Sequence, residues 1–296
     1  MSNMKLANLS PEQKERIVAK LLSSPQGKLK LAASMQNPLR ERLDYEGVFR
    51  RAAVVDPLPQ GALPYYDKDV DVPAVVIGEE GQTPETIVKG KRIFIPLFEL
   101  GSNPKIPFTQ VKERRYNLID RAQDKAKQEI QAAEDTLGFS ALDVALTAVN
   151  PATGTLFNAP IAVAGSLDRD SLSDAYAEVE KHDLRVARLF MNARDYSDIR
   201  KFGRDQIDPV TQKSLLNTGL MAMLWGAEII VSRVVEVGTV YICTDEKFLA
   251  IMPQRIDITV LPADNPDARL VGWSIFEQIG IGIHNPRGVA QIAVTR

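Results

Sequence analysis

The chain has 296 residues and a mass of 32.7 kDa, enough for one large domain or two of ordinary size with roughly three quarters of the unfolded surface buried. Its composition, 45% hydrophobic and 25% charged with 18 Gly and 18 Pro, excludes wholesale disorder and a collagen-like repeat. A formal charge of -2 argues against an overall basic nucleic-acid binder, and a single cysteine rules out an internal disulfide.

No apolar run approaches the roughly 20 residues of a membrane span, and Glu12, Lys14, Glu15 and Arg16 stand where a signal peptide needs an apolar stretch. No membrane partner is expected. Charge is unevenly placed: residues 1–55 carry ten Lys or Arg against five Asp or Glu, a net of +5, and residues 56–89 carry seven Asp or Glu against two Lys, a net of -5. Two solvated faces account for this; the sharper alternative is a basic arm and an acidic segment that meet other copies of the chain.

Ser10-Pro11-Glu12-Gln13 is a helix start with Ile17, Val18, Leu21 and Leu22 as a short apolar face, and a second weak helix is expected after Ser24-Pro25. Neither carries enough apolar surface to make its own core, so both must lean on something else. Residues 56–64, with three prolines and a glycine, read as a linker. Val70, Val72, Ala74 and Val76 then recur with period two, as do Ile93, Ile95 and Leu97, which predicts a two-stranded excursion over 66–98. An isolated ribbon of this kind is marginal in water. Its apolar side chains, Val72, Val76, Ile93 and Ile95, are therefore candidates for contact with another chain.

The strongest periodic signal is Ile119, Ala122, Ala126, Ile130, Ala133 and Leu137, within a segment 112–137 that carries six positive and six negative side chains. A helix there is about 39 Å long, or about 57 Å if it runs through Gly138 to Val149. Residues 161–244 alternate short elements: a helix opened by Ser171-Leu172-Ser173-Asp174, a strand Val186–Met191, a helix capped by Asn192, a long polar loop from Gly203 to Thr218, and strands at Ala227–Ser232 and Thr239–Cys243. The last fifty residues read as β throughout. Ile256, Ile258 and Val260 alternate with polar residues, and Val271, Trp273, Ile275, Ile279, Ile281 and Ile283 share one face of a long strand. Gly280 and Gly282 on the other face predict close packing by a helix or a neighbouring backbone, with the long helix as the natural candidate, and Val289–Val294 is expected to finish the sheet. The fold class is α+β.

The inventory of chemistry is poor. His182, His284 and Cys243 cannot build a His/Cys metal site, the aspartates lack calcium-loop spacing, and no nucleophile elbow, phosphate loop or dinucleotide fingerprint occurs. His182 reads as a surface or capping histidine, Cys243 as a buried small hydrophobe, and Arg194 and Arg200 as a network with Asp195 and Asp198. Trp225 and Trp273 read as core or interface anchors. No catalytic residue, cofactor or metal is expected, and an enzyme is the least favoured class.

Four segments carry a family resemblance: Met191-Asn-Ala-Arg-Asp-Tyr-Ser-Asp-Ile-Arg200, Leu224-Trp-Gly-Ala-Glu-Ile-Ile-Val-Ser232, Met252-Pro-Gln-Arg-Ile-Asp-Ile-Thr259, and Gly272–Gly288 with its Gly-Ile-Gly-Ile-His-Asn-Pro-Arg-Gly end. Together they resemble the major capsid proteins of tailed bacteriophages with the HK97 fold. Phe98–Phe139, with Pro107-Phe108 and Ala132-Ala-Glu-Asp-Thr-Leu-Gly-Phe139, resembles both that family and the related encapsulin shell proteins. The likeness covers roughly 100–296.

The resemblance implies an N-terminal arm at 1–64, an extended loop at 65–100, a peripheral domain with a spine helix at 101–160, an axial domain at 161–244, and C-terminal strands of the peripheral domain at 245–296. It implies a structural subunit, made in the host cytoplasm and carried in the virion, that assembles with itself into hexamers and pentamers and encloses double-stranded DNA non-specifically. A portal and a separate scaffold protein are implied partners, and a cement protein is left open. Arg50, Arg51 and Trp225 join Val72, Val76, Ile93 and Ile95 as inter-subunit candidates. Lys89 and Lys91 are the lysines available for crosslinking between subunits, but no asparagine or carboxylate partner can be matched to them. The alternative is an encapsulin-like compartment shell around a cargo enzyme.

Overall fold

The computed structural model describes residues 24–27, 47–59, 61–68, 91–109, 117–151, 153–202 and 223–296. The expected helix at 10–22, the strand at Val70–Val76 with Val72 and Val76, Lys89, and the loop 203–218 lie outside the described residues. Of the second weak helix only its start is described, where the Ser24 hydroxyl accepts from the Gly27 amide at 3.0 Å.

Two six-stranded sheets and one long helix organise the rest. The first sheet runs β1 (Ala53–Pro57), β11 (Ala250–Pro262), β12 (Leu270–Gly280), β4 (Leu97–Ser102), with β13 (Gly282–Ile283) paired to β11 and β5 (Lys105–Pro107) to β12. The second runs β6 (Ile161–Ala164), β14 (Val289–Thr295), β10 (Thr239–Thr244), β7 (Val186–Met191), β9 (Ala227–Val231), β8 (Met223–Leu224). A separate ribbon pairs β2 (Tyr65–Lys68) with β3 (Lys91–Phe94), Tyr65 opposite Phe94 and Lys68 opposite Lys91.

Each face of the second sheet has its own core, as period-two alternation requires. On one face, Leu189, Met191, Val240, Ile242, Ala290 and Ile292 pack with α2 (Arg169–Glu180) and α3 (Ala193–Ile199). On the other, Phe190, Ile230, Tyr241 and Cys243 pack with α1 (Asn117–Leu146) and Phe49, which sits in a short 3-10 turn, Val48–Arg51. Phe139 of α1 is the hub: its ring is stacked on Tyr241 at 5.5 Å and meets Phe190 at 5.7 Å and Phe49 at 6.0 Å edge-on.

Several expectations are corrected. The long helix runs unbroken for 30 residues through Gly138, about 45 Å, but its buried face turns away from the stripe read in the sequence. Ala126, Ile130 and Leu142 are buried, whereas Leu137 is 40% exposed and Glu134, Asp135, Gly138 and Phe139 occupy the inner face. The side chains of Ile119 and Ala122 lie outside the described set. The cause is Phe49: an α-carbon substituent at residue 138 would stand 2.2 Å from its ring, so the bare glycine, not Leu137, faces the core.

Gly282 and Gly280 do receive a close neighbour, but it is Ile95 with Pro96 rather than the helix; an added Cβ at 282 would meet Ile95 Cδ1 at 2.3 Å. β14 joins the second sheet, antiparallel to β10 and parallel to β6, not the sheet of β11 and β12. The Asn285–Gly288 turn redirects it, and the Asn158 amide donates to the carbonyls of Arg287 and Val289 at 2.9 and 2.6 Å. Ile256 is 37% exposed because the β11–β12 register shifts on both sides of it.

Smaller boundaries move for local reasons. α2 starts earlier than expected because Asp168 caps it, accepting from the Ser171 amide at 2.8 Å. Asn192 caps α3 as expected. Asp195 and Asp198 do not form a network with Arg194 and Arg200; both bind Arg296, at the far end of β14, and Arg200 lies over the Tyr196 ring instead. His182 stands just past the C-terminal end of α2, and its Nε2 meets Asn158 Oδ1 at 2.9 Å and the Phe157 carbonyl at 3.3 Å. Among the described residues, no helix is long and apolar enough to cross a membrane.

Candidate functional site

The sequence-predicted contact residues separate into three places. At the base of the ribbon, Tyr65 and Phe94 are 53% and 52% exposed with rings 5.4 Å apart, and Leu63 beside them is 61% exposed. Ile93 is half-buried. Ile95 is taken up inside its own chain, 5% exposed against Gly280 and Gly282. The ribbon is anchored by polar ties: Tyr66 donates to Asp56 Oδ2 at 2.6 Å, and the Arg255 guanidinium donates to the Ala62 carbonyl at 2.7 Å. Burial first and the Asp56 contact second push the Tyr66 phenol above its usual range. The Arg92–Asp67 pair is three-quarters exposed on both sides and contributes little to stability.

The second place holds Arg50 and Arg51. The Arg51 guanidinium reaches Glu228 of β9 at 2.7 Å and stays accessible. Arg50 turns inward, 14% exposed, and grips Glu134 of α1 in bidentate fashion, Nε to Oε1 at 2.6 Å and Nη2 to Oε2 at 2.9 Å. Its Nη2 also meets Glu277 Oε2 of β12 at 3.2 Å. Next to it the Phe49 amide donates to Asp135 Oδ1 at 2.9 Å. Burial is the main cause that pushes Asp135 up to about 6 and Glu277 up to about 7, with the Glu134 charge adding to both.

These three carboxylates were not foreseen, although a signal existed. Glu277 shares the strand parity of Trp273, Ile275 and Ile279, and Glu134 stands one helical turn after Ile130. Arg50 and Arg51 were foreseen as a pair; the turn of the chain gives one to the interior and the other to the surface.

The third place is the tip of the β8–β9 hairpin. Trp225 and Gly226 both have positive φ, +48° and +86°, as a two-residue hairpin turn requires. Trp225 is 46% exposed and rests edge-on against Tyr176 at 5.2 Å, whose hydroxyl donates to the Leu224 carbonyl at 2.9 Å. Trp273, by contrast, is core at 1% exposed. Met223, next to Trp225, is 61% exposed, so the hairpin tip presents a small apolar surface.

A cleft of about 580 Å³ lies between Asp183–Ala187, Gly226, Thr244, Asp245 and Phe248, and the Thr244 hydroxyl in it is committed to the Arg185 carbonyl at 2.8 Å. Cys243 is fully buried, its thiol pushed up to about 12 by burial. Among the described residues, no group of three or more His, Cys, Asp or Glu could hold a metal ion. Among the described residues, the surface offers exposed aromatics and paired charges.

Comparison with known proteins gives this contact surface its context. A family model described as phage capsid protein matches residues 105–292. No curated protein matches the sequence. Among solved structures, the mature capsid of bacteriophage PhiM1 is similar with a TM-score of 0.64 at 11% identity, covering 85% of this chain and 88% of that one. The capsid of the native GTA particle is similar with a TM-score of 0.64 at 17% identity, covering 84% and 90%. A virus-like particle from Pyrococcus furiosus is similar with a TM-score of 0.52 at 16% identity, covering 89% and 97%. The matched family spans the whole of the long helix, the second sheet as far as Ile292 in β14, and β5, β11, β12 and β13 of the first sheet, so the chain belongs to the phage capsid protein family and has its HK97-like fold.

Proposed function

We propose that the chain is the structural subunit of an icosahedral shell, assembling with itself into hexamers and pentamers around double-stranded DNA. Membership of the phage capsid family carries the reading. The form of the chain supports it. The ribbon leaves Tyr65 and Phe94 half-exposed at its base, and the Trp225 hairpin offers a second apolar tip on a different sheet. A chain with unlike donor and acceptor surfaces joins head to tail, and such contacts close into rings that tile a shell.

In this reading, residues 1–64 are the arm, 65–100 the extended loop, and α1 the spine of a peripheral domain with the first sheet. The axial domain is 161–244 together with β14, which completes its sheet. Ile93, Arg51 and Trp225, with Val72 and Val76, are the contact residues; Arg50 and Ile95 support them from inside the subunit. A separate scaffold and a portal are the partners. The second reading is an encapsulin-like shell around a cargo enzyme; the similarity to the Pyrococcus furiosus virus-like particle supports a shell without distinguishing its contents.

Sedimentation and light scattering of the purified chain across an ionic-strength series test the proposal, with nuclease treatment to report protected DNA. Large, closed species with nuclease-resistant DNA are expected from the capsid, and large species that carry protein but no DNA from the cargo shell. Salt should weaken contacts made by exposed ion pairs and spare the apolar ones.

A further inference from the structure

Around Arg50 the fold sets three buried carboxylates against one guanidinium. Glu134, Asp135 and Glu277 are 1%, 5% and 0% exposed. The groups facing Glu277 are Arg50 from the 3-10 turn, Glu134 from α1 and Asp257 from β11. From β4 its register partner is Leu100, which carries no charge. Asp135 faces Glu134 and Arg50, and accepts from the Phe49 amide.

Arg50 meets two carboxylates, Glu134 through the bidentate contact and Glu277 Oε2 at 3.2 Å, so its single positive charge balances only one of them. An ionised Glu277 is then a surplus negative charge in a place closed to water, where an uncompensated charge is costly. Its Oε1 has no hydrogen-bond partner among the described residues, so ionisation gains nothing at that oxygen. The seat is balanced when Glu277 holds a proton. What it seats is the start of the first sheet: Phe49 lies in the same turn as Arg50, packed on Gly138, and β1 pairs with β11 from Ala53 onward.

We propose that Arg50, Glu134 and Glu277 form a proton-controlled latch, in which a protonated Glu277 clamps the Val48–Pro57 segment to α1 and the first sheet and its ionisation loosens that segment. The direction follows from the raised folded-state values. Burial lifts Glu277 from an ordinary 4.5 to about 7 and Asp135 from 3.8 to about 6. Stability from such groups is complete below the ordinary value and is lost as pH rises through the folded one. Mild acid therefore tightens this seat, where an ordinary ion pair would weaken.

Hydrogen–deuterium exchange of the purified full-length chain between pH 5.5 and pH 8.0, corrected for intrinsic exchange, reads the latch directly in the peptide over residues 48–57. The wild type is expected to lose on the order of tenfold in protection there across that range, while the β7 peptide over residues 186–191 stays flat. Glu277→Gln, which keeps the shape and cannot ionise, should abolish the slope and hold the segment protected at pH 8.0. Glu134→Gln removes the anion that balances Arg50 and should lower protection at both ends of the range. Wild-type protection that is flat or rises with pH, or a Glu277→Gln slope equal to wild type, overturns the proposal. If Glu277→Gln does not fold, the wild-type slope relative to the β7 peptide decides alone. The outcome does not depend on whether the chain forms a shell, since the readout is local.

Discussion

Replacing Gly138 by alanine sets two effects of opposite sign against each other. Inside an ordinary helix the exchange stabilises by about 1 kcal/mol, because glycine gives up more backbone freedom on folding. Here the new methyl carbon would lie 2.2 Å from Phe49 Cγ and 2.4 and 2.5 Å from its two Cδ atoms. Carbon atoms rest at about 3.5–4.0 Å, so the ring must move by more than an ångström. It has nowhere to go: Phe49 is fully buried, and Phe139 beside it is itself held between Phe190 and Tyr241. Overpacking of this kind costs about 1–3 kcal/mol, so a net loss of up to about 2 kcal/mol remains after the helix gain. Urea unfolding of dissociated subunits followed by circular dichroism measures it. The cycle with Phe49→Ala separates the causes. With the ring gone, Gly138→Ala should become stabilising, and the coupling should exceed the roughly 0.5 kcal/mol scatter expected of independent sites. A Gly138→Ala protein more stable than wild type, or one equally destabilised without Phe49, would refute the packing argument.

Other expectations follow from the same structure. Ile130→Ala, on the buried face of α1 at 3% exposure, should cost about 2–4 kcal/mol by the same urea assay. Arg296→Ala removes the guanidinium that meets Asp195 at 2.5 Å and Asp198 at 2.9 Å and leaves the fully buried Asp195 with the Gly238 amide, which should cost about 1.5–3 kcal/mol. Arg51→Ala breaks an exposed pair and should stay within about 1 kcal/mol of wild type. Cys243, fully buried with its thiol pushed up to about 12, should resist a thiol reagent at pH 8 in the native protein and react fully once the chain is unfolded.

Elements with a strong local pattern were legible in the sequence. Val186–Met191 and Ala227–Val231 are short, mostly apolar runs that read as strands, and Asn192 caps α3 where its side chain and the following turn say it should. What failed was decided by partners distant in sequence. The inner face of α1 depends on Phe49, 89 positions before Gly138, and that contact admits two carboxylates where periodicity alone would put Ala133 and Leu137. β14 leaves the sheet of β11 and β12 because Asn158, far upstream, holds the carbonyls at its start. Ile256 points outward because the register shifts on either side of it, and a period-two reading carries no information on bulges.

The candidate contacts divide in the same way. Exposure at Trp225 follows from its position in a two-residue turn, which the Trp225-Gly226 sequence displays. Arg50 and Ile95 belong instead to the interior, one through carboxylates on α1 and β12, the other through two glycines at the end of the first sheet. Reading either from the chain would have required knowing which elements come together there.

Electron microscopy of the purified assembly tests the central claim most directly. The account predicts closed isometric particles whose reconstruction has five-fold vertices and six-fold faces, with each subunit's ribbon lying on a neighbouring copy. A chain that stays monomeric or dimeric in every condition, including with the proposed scaffold and packaging proteins supplied, would contradict it.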